Sequence, residues 1–165
     1  MGNIRLSSLQ KWIISLIQHY NHDKYWKRRS ICIDPNNKTP YIIKLWYLLY
    51  IKRVDAYHNC SFGTNINSGS FFAEPPKLPH GPKNIIIGHN LTFGRNCTLF
   101  HNVTISGGGG IFGDNILFSA GCTILSTVSS IGNNAKIGAN CVVVDDVPEN
   151  ATVVMHKPRV IIRNK

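Results

Sequence analysis

The stretch from Ile87 to Val143 reads IGHNLTFGRNCTLFHNVTISGGGGIFGDNILFSAGCTILSTVSSIGNNAKIGANCVV, and its period decides the fold. A large apolar residue recurs every six positions at Ile87, Phe93, Leu99 and Ile105. After a slip of one residue the series resumes at Phe112, Phe118 and Ile124, and after a second slip at Ile131, Ile137 and Val143. The next residue is Gly or Ser at seven of these ten steps. A period of six fits neither the 3.6-residue helical repeat nor the two-residue alternation of an extended strand. It fits a solenoid in which each short strand points one large side chain inward and a tight corner follows. Gly tolerates the backbone angles of such a corner. Asn90, Asn96, Asn102, Asn133, Asn134 and Asn140 crowd the same places, and Asn enters the left-handed region more readily than most residues. Three hexads make one triangular coil, so successive coils stack at about the interstrand spacing of 4.8 Å.

A smaller inward position precedes each large one and holds Cys97, Val103, Ala135 or Cys141. This explains the cysteines as small buried hydrophobes. All five (Cys32, Cys60, Cys97, Cys122, Cys141) lack a C-x-x-C pair and are odd in number, which argues against a disulfide framework or a zinc knuckle and for a reducing, cytoplasmic setting. Phe62-Gly63 and Ser68-Gly69 begin an irregular first coil. The segment from Phe71 to Lys77 carries Pro75 and Pro76 and is expected to be a loop rather than a strand.

Residues 4–20 and 41–54 show Leu, Ile, Trp and Tyr at helical spacings with few glycines, and read as two helices joined by a turn over residues 34–40. They are placed to cap the open end of the solenoid. The expected organisation is a helical segment over 1–54, a β-helix domain over 55–150 and a C-terminal tail over 151–165 laid along the coils. No apolar run approaches the eighteen or so residues that span a bilayer, and the N-terminal run from Trp12 to Ile17 is read as neither signal peptide nor anchor.

The formal charge is +10. Residues 1–53 hold ten Lys and Arg against Asp23 and Asp34, a net +8, with Lys27, Arg28 and Arg29 as a run within it. Such a field attracts polyanions: acidic polysaccharide, anionic lipid headgroups and nucleic acid all qualify, and charge alone does not choose among them.

Three further runs carry a resemblance: Leu78-Pro79-His80-Gly81-Pro82-Lys83-Asn84-Ile85-Ile86-Ile87-Gly88, then Val103-Thr104-Ile105-Ser106-Gly107-Gly108, then Val147-Pro148-Glu149-Asn150-Ala151. Together with the hexads they resemble the hexapeptide-repeat acetyltransferases, in the group of serine acetyltransferases and polysaccharide O-acetyltransferases, over residues 55–162. The resemblance implies a mainly β fold, a left-handed parallel β-helix with a short N-terminal helical segment, assembled as a homotrimer with active sites between subunits. It implies acetyl-CoA as donor and no metal. It also implies a catalytic His matched by His80 and a catalytic Asp matched by Asp55, in Val54-Asp55-Ala56-Tyr57-His58, ahead of about ten extra residues between Gly63 and His80. His101 stands where some polysaccharide-modifying relatives carry an acceptor-binding or catalytic His. Gly107, Ala120 and Ala139 match small residues along the CoA arm, and Lys157, Pro158 and Arg159 stand near its nucleotide end, where cations pair with phosphate.

The chemistry asks for such a base on its own account, because a hydroxyl is too weakly acidic to attack a thioester unaided and His is suited to the task near neutral pH. The downstream His-Pro-Lys segment of serine acetyltransferases has no match, since Gly107 to Gly110 run straight into Ile111-Phe112-Gly113. On that departure and the short N-terminal region, the sequence favours O-acetylation of a cell-surface polysaccharide or its sugar precursor, with serine O-acetylation as the alternative. A saccharide acceptor, no nucleic acid, and a cytoplasmic enzyme with peripheral attachment to the inner membrane complete the expectation.

Overall fold

The computed structural model describes Ile13 and residues 17–156. Helix α1 (His22–Ile33) and helix α2 (Tyr41–His58) precede fifteen two-residue strands. The strands stack into three parallel columns, the sides of a triangular β-helix. One column runs β1 (Ser61–Phe62), β5 (Ile86–Ile87), β8 (Thr104–Ile105), β11 (Thr123–Ile124) and β14 (Val142–Val143). The second runs β4 (Phe71–Phe72), β6 (Thr92–Phe93), β9 (Ile111–Phe112) and β12 (Ser130–Ile131). The third runs β7 (Thr98–Leu99), β10 (Leu117–Phe118), β13 (Lys136–Ile137) and β15 (Thr152–Val153). A small antiparallel hairpin, β2 (Thr64–Asn65) with β3 (Ser68–Gly69), hangs from the first coil.

The pairing registers are those of the hexads. Ile87 lies beside Ile105, Ile105 beside Ile124, and Ile124 beside Val143. All ten large hexad residues are buried, and so are the small inward residues Cys97, Val103, Ala135 and Cys141. Phe72 stacks on Phe93 at 4.2 Å, and Phe112 meets Phe93 edge-on at 5.0 Å, so along this column one large side chain from each coil stacks on the next. The two slips fall in corners. Among the described residues from Asn59 onward every non-glycine residue with positive φ is an Asn, among them Asn90, Asn96, Asn102, Asn134 and Asn140. Asn133 departs from the sequence reading: it keeps negative φ and uses its side-chain oxygen to accept from the Asp114 amide at 2.8 Å. All five cysteines are free and buried. Burial pushes the Cys97 thiol up to about 11 and the Cys122 thiol up to about 12, so they stay protonated.

Two expectations from the sequence are corrected here. Phe71–Phe72 is a strand paired with β6, and Lys77 bridges Thr98, so the segment 71–77 forms two sides of the first coil. Pro75 and Pro76 sit in the corner between those sides, where no ladder amide is required. Helix α1 is the second correction, because the first expected helix, 4–20, lies mostly outside the described residues and His22–Ile33 had no apolar pattern to announce it. Its buried face is Tyr25, Trp26, Arg29 and Cys32, and an arginine on that face masks the periodicity. The turn over residues 34–40 joins α1 to α2, and α2 continues past residue 54 to His58.

The helices close the first coil, as expected of a cap. In a parallel ladder alternate residues direct their backbone groups to opposite neighbours. The Ser61 and Phe71 amides bond forward to Ile85 and Leu91, so Phe62 and Ser70 face backward, where among the described residues no coil precedes. Arg29 fills that position. Its Nη2 donates to the Phe62 and Ser70 carbonyls, both at 2.5 Å, and its Nε donates to Thr64 Oγ1 at 3.0 Å. Lys44 Nζ holds the hairpin through Asn67 Oδ1 at 2.6 Å. Arg29 and Lys44 are both buried, so the basic run at 27–29 is not three surface charges: one of them is the bolt of the cap.

Candidate active site

His80 lies in the long corner that leads from the first coil into β5, within the turn Pro79-His80-Gly81-Pro82. Gly81 takes φ +71° there, and its amide bonds to the Leu78 carbonyl at 3.0 Å. The imidazole is exposed and stands against His101, from the corner between β7 and β8. The two rings are stacked at 5.0 Å with Nδ1 facing Nδ1 at 2.9 Å, and Phe100 meets the His80 ring edge-on at 5.4 Å. At that separation one Nδ1 carries the shared proton and the other accepts it. When His80 is the donor, its Nε2 is left with a free lone pair, which is the form a base requires.

An asparagine ladder fixes this corner to the end of α2. Asn59, in left-handed conformation as the C-cap of α2, donates to Asn84 at 3.1 Å, and Asn84 donates to Asn102 at 2.9 Å. The Asn84 amide also bonds to the His58 carbonyl at 3.1 Å. The result is an open cleft of about 1190 Å³, walled by Tyr20, His22, Tyr57 and His58 on one side and by Pro75 to Asn84 on the other, with His80 at its edge. His58 is buried and its Nε2 has no hydrogen-bond partner. Burial lowers its pKa from the usual imidazole value, a hydrogen bond with the Gln18 backbone opposes this, and the nearby Lys83 and His19 lower it further.

Asp55 is placed differently. Its carboxylate is buried behind the cleft, where Oδ1 accepts from the Tyr25 hydroxyl at 2.6 Å and meets Cys60 Sγ at 3.7 Å, while Oδ2 has no partner. Burial raises its pKa, with the Tyr25 hydrogen bond opposing. Among the described residues no hydrogen bond joins Asp55 to His80.

The small residues fall into two sets. His101, Ala120 and Ala139 stack in one corner of successive coils: the Gly121 amide bonds to the His101 carbonyl at 3.2 Å and the Asn140 amide to the Ala120 carbonyl at 3.0 Å. Past His101 this edge therefore carries only the methyl groups of Ala120 and Ala139 at the stacked position. Gly107 lies at the other edge of the β8 column, stacked over Gly88 and His89, where an added Cβ would stand 2.8 Å from the His89 carbonyl oxygen. Lys157, Pro158 and Arg159 lie outside the described residues.

The sequence reading gave no role to His58, Tyr20 or Tyr25. The signal available for His58 was its spacing from Asp55, three residues on the same helix and hence one face. Tyr25 gave no signal because α1 itself was not foreseen, and Tyr20, at the end of the expected helix 4–20, read only as one of its apolar positions.

No protein-family model matches the chain, and neither does any curated protein. Solved structures do. Serine acetyltransferase isoform 3 of Entamoeba histolytica, in complex with cysteine, aligns over 99% of this chain and 56% of its own length at TM-score 0.68 and 18% identity. The Neisseria gonorrhoeae serine acetyltransferase in complex with serine aligns over 69% of this chain and 48% of its own at TM-score 0.54 and 30% identity. A serine acetyltransferase in complex with CoA aligns over 90% and 54% at TM-score 0.56 and 21% identity. The chain spans about half the length of the structures it matches. These likenesses bear out the left-handed β-helix and the resemblance to the hexapeptide-repeat acetyltransferases.

Proposed function

We propose that this chain transfers acetyl from acetyl-CoA to a hydroxyl, with His80 as general base. The observation that carries the reading is the pairing of an exposed imidazole, held through Nδ1 by His101, with a cleft on one side and an alanine-lined edge on the other. His80 Nε2 takes the hydroxyl proton as the oxygen attacks the thioester carbon. The imidazolium then returns that proton to the departing CoA sulfur. His101 accepts from His80 Nδ1, and that bond strengthens as the ring becomes charged, the part an aspartate plays in a triad. Base catalysis of this kind supplies roughly 10² to 10⁴ in rate. Asp55 acts at one remove, as a positioning residue that fixes the last turn of α2 and, through Asn59 and His58, the wall of the cleft.

The pantetheine arm lies along Ala120 and Ala139, and the family resemblance assigns Lys157, Pro158 and Arg159 to its phosphates. Gly107 is at the opposite edge of the same column and reaches that arm only if a neighbouring copy presents it. This supports a homo-oligomer, and a homotrimer with sites between subunits as the family resemblance implies.

The structural likenesses reverse the ranking of acceptors that the sequence favoured. Every relative reported above is a serine acetyltransferase, so serine is the leading acceptor. The saccharide reading stays as the second, on one observation: the missing His-Pro-Lys segment leaves Gly107 to Gly110 passing directly into β9, and the open cleft has room for a sugar. CoA release from acetyl-CoA, measured with serine and with a panel of saccharides, tests both. His80→Ala is expected to stay folded and lose at least about a hundredfold in turnover. Near-wild-type turnover in that variant, or no CoA release with any hydroxyl acceptor, overturns the reading.

A further inference from the structure

Helix α2 buries one face: Lys44, Ile51, Val54, Asp55 and His58 turn inward. On the other side Ile42, Trp46 and Leu49 are 67%, 69% and 54% exposed. Steps of four and three residues set these on one face, and Tyr41 and Leu45 widen the apolar strip. Scattered exposed apolar residues are ordinary on a protein surface, but a contiguous strip containing Trp marks an interaction site.

The charge beside the strip chooses its partner. Lys52 and Arg53 are exposed one turn further along the same helix. From α1, Arg28 lies over the Tyr50 and Tyr47 rings at 4.3 and 5.3 Å, and Lys24 over Tyr50 at 5.3 Å. The one acid of α2, Asp55, is buried, so the exposed face offers apolar groups and cations with no anion. A second copy docking here would set these cations against their equals, whereas an anionic surface satisfies both the strip and its flank. No helix among the described residues is long and apolar enough to cross a membrane, so α2 suits the plane of an interface rather than a span.

We propose that this face of α2 docks on an anionic phospholipid surface, with Ile42, Trp46 and Leu49 at the acyl boundary and Lys24, Arg28, Lys52 and Arg53 among the headgroups. Apolar insertion and a basic flank are the two signals that together give stable peripheral attachment. Trp favours that boundary because its ring is apolar with one polar edge. The inference stands apart from the acetyl-transfer reading, since none of these residues carries the proposed chemistry.

The test is co-sedimentation of the full chain with vesicles of phosphatidylcholine alone and of phosphatidylcholine mixed with phosphatidylglycerol. Binding is expected only to the mixed vesicles, falling steeply with salt. Ile42→Ser and Trp46→Ser should each lower the partition coefficient about tenfold, and Lys52→Gln with Arg53→Gln together about tenfold or more. Trp46→Ser should leave CoA release with a soluble acceptor unchanged. Absence of binding to the mixed vesicles overturns the proposal, as does a Trp46→Ser variant that binds like wild type. Two other outcomes overturn it by naming a different occupant: dissociation of an oligomer by Trp46→Ser without vesicle binding points to a second copy, and binding gained only on deletion of residues 1–16 points to that segment. Loss of acetyl transfer would leave the vesicle result untouched.

Discussion

Replacing Arg29 with Met tests how the helices close the solenoid. The side chain is 1% exposed, and its guanidinium serves the Phe62 and Ser70 carbonyls and the Thr64 hydroxyl. Met fills much of the same volume and offers no donor. The Thr64 hydroxyl can rotate to another partner, but the two carbonyls point away from the ladder and would be buried without one. An unsatisfied buried carbonyl costs about 1 to 3 kcal/mol, so the pair gives about 2 to 6 kcal/mol. Against a usual total of about 5 to 15 kcal/mol this is a large fraction, and for a chain of this size it corresponds to a fall in Tm of roughly 4 to 24 °C. Relief from burying a charge works in the opposite direction, since burial already lowers the Arg29 pKa to about 10. Loss of the cation still leaves its acceptors behind, and removing one partner of a buried polar set is the costly direction. Thermal and urea unfolding followed by circular dichroism would measure the difference. Arg29→Lys should recover only part of it, because an ammonium lacks the planar fork that reaches two carbonyls and a hydroxyl together. A Met variant within about 0.5 kcal/mol of wild type would refute the account of the cap.

Asp55→Asn should fold at least as well as wild type, because burial disfavours the carboxylate and an amide oxygen still accepts from Tyr25. Its acetyl transfer should fall less than that of His80→Ala, and an equal loss would mean that the carboxylate acts on His80 directly. His58 gives a pH dependence with a definite sign. Its folded pKa lies below 6.5, so its contribution is intact above 6.5 and stability is lost as pH falls through 6.5 toward the lowered value. Chemical denaturation of His58→Gln between pH 7.5 and about 5 should show a shallower decline than wild type, and an unchanged slope would count against the burial of a neutral ring. Ile137→Asp places a charge where exposure is 0%, at a cost of several kcal/mol. It should yield insoluble or non-cooperatively unfolding protein, and a soluble cooperative variant would show the coil register after Ile131 to be wrong.

The sequence by itself determined the solenoid, because each hexad is a local unit: one large inward residue, one small one, and a corner built from Gly or Asn. Stacking then repeats the same contacts coil after coil, which is why every large hexad residue from Ile87 to Val143 is buried in the expected register. His80 and His101 were legible as candidates only through the family resemblance, from the His-Gly run ahead of Ile85-Ile86-Ile87 and the corner before Val103-Thr104-Ile105. What depended on contacts between distant segments was not legible. Phe71–Phe72 became a strand because Phe93, twenty-one residues beyond Phe72, was there to stack on it. Helix α1 turns an arginine inward because the first coil leaves two carbonyls facing backward, a need that appears only once the coil has formed. Likewise only the tertiary structure decided that His80 pairs with His101 while Asp55 is held by Tyr25: two ring nitrogens meet at 2.9 Å where stacked corners bring residues twenty-one apart into contact, and a carboxylate at the end of a helix bonds to the hydroxyl packed against it.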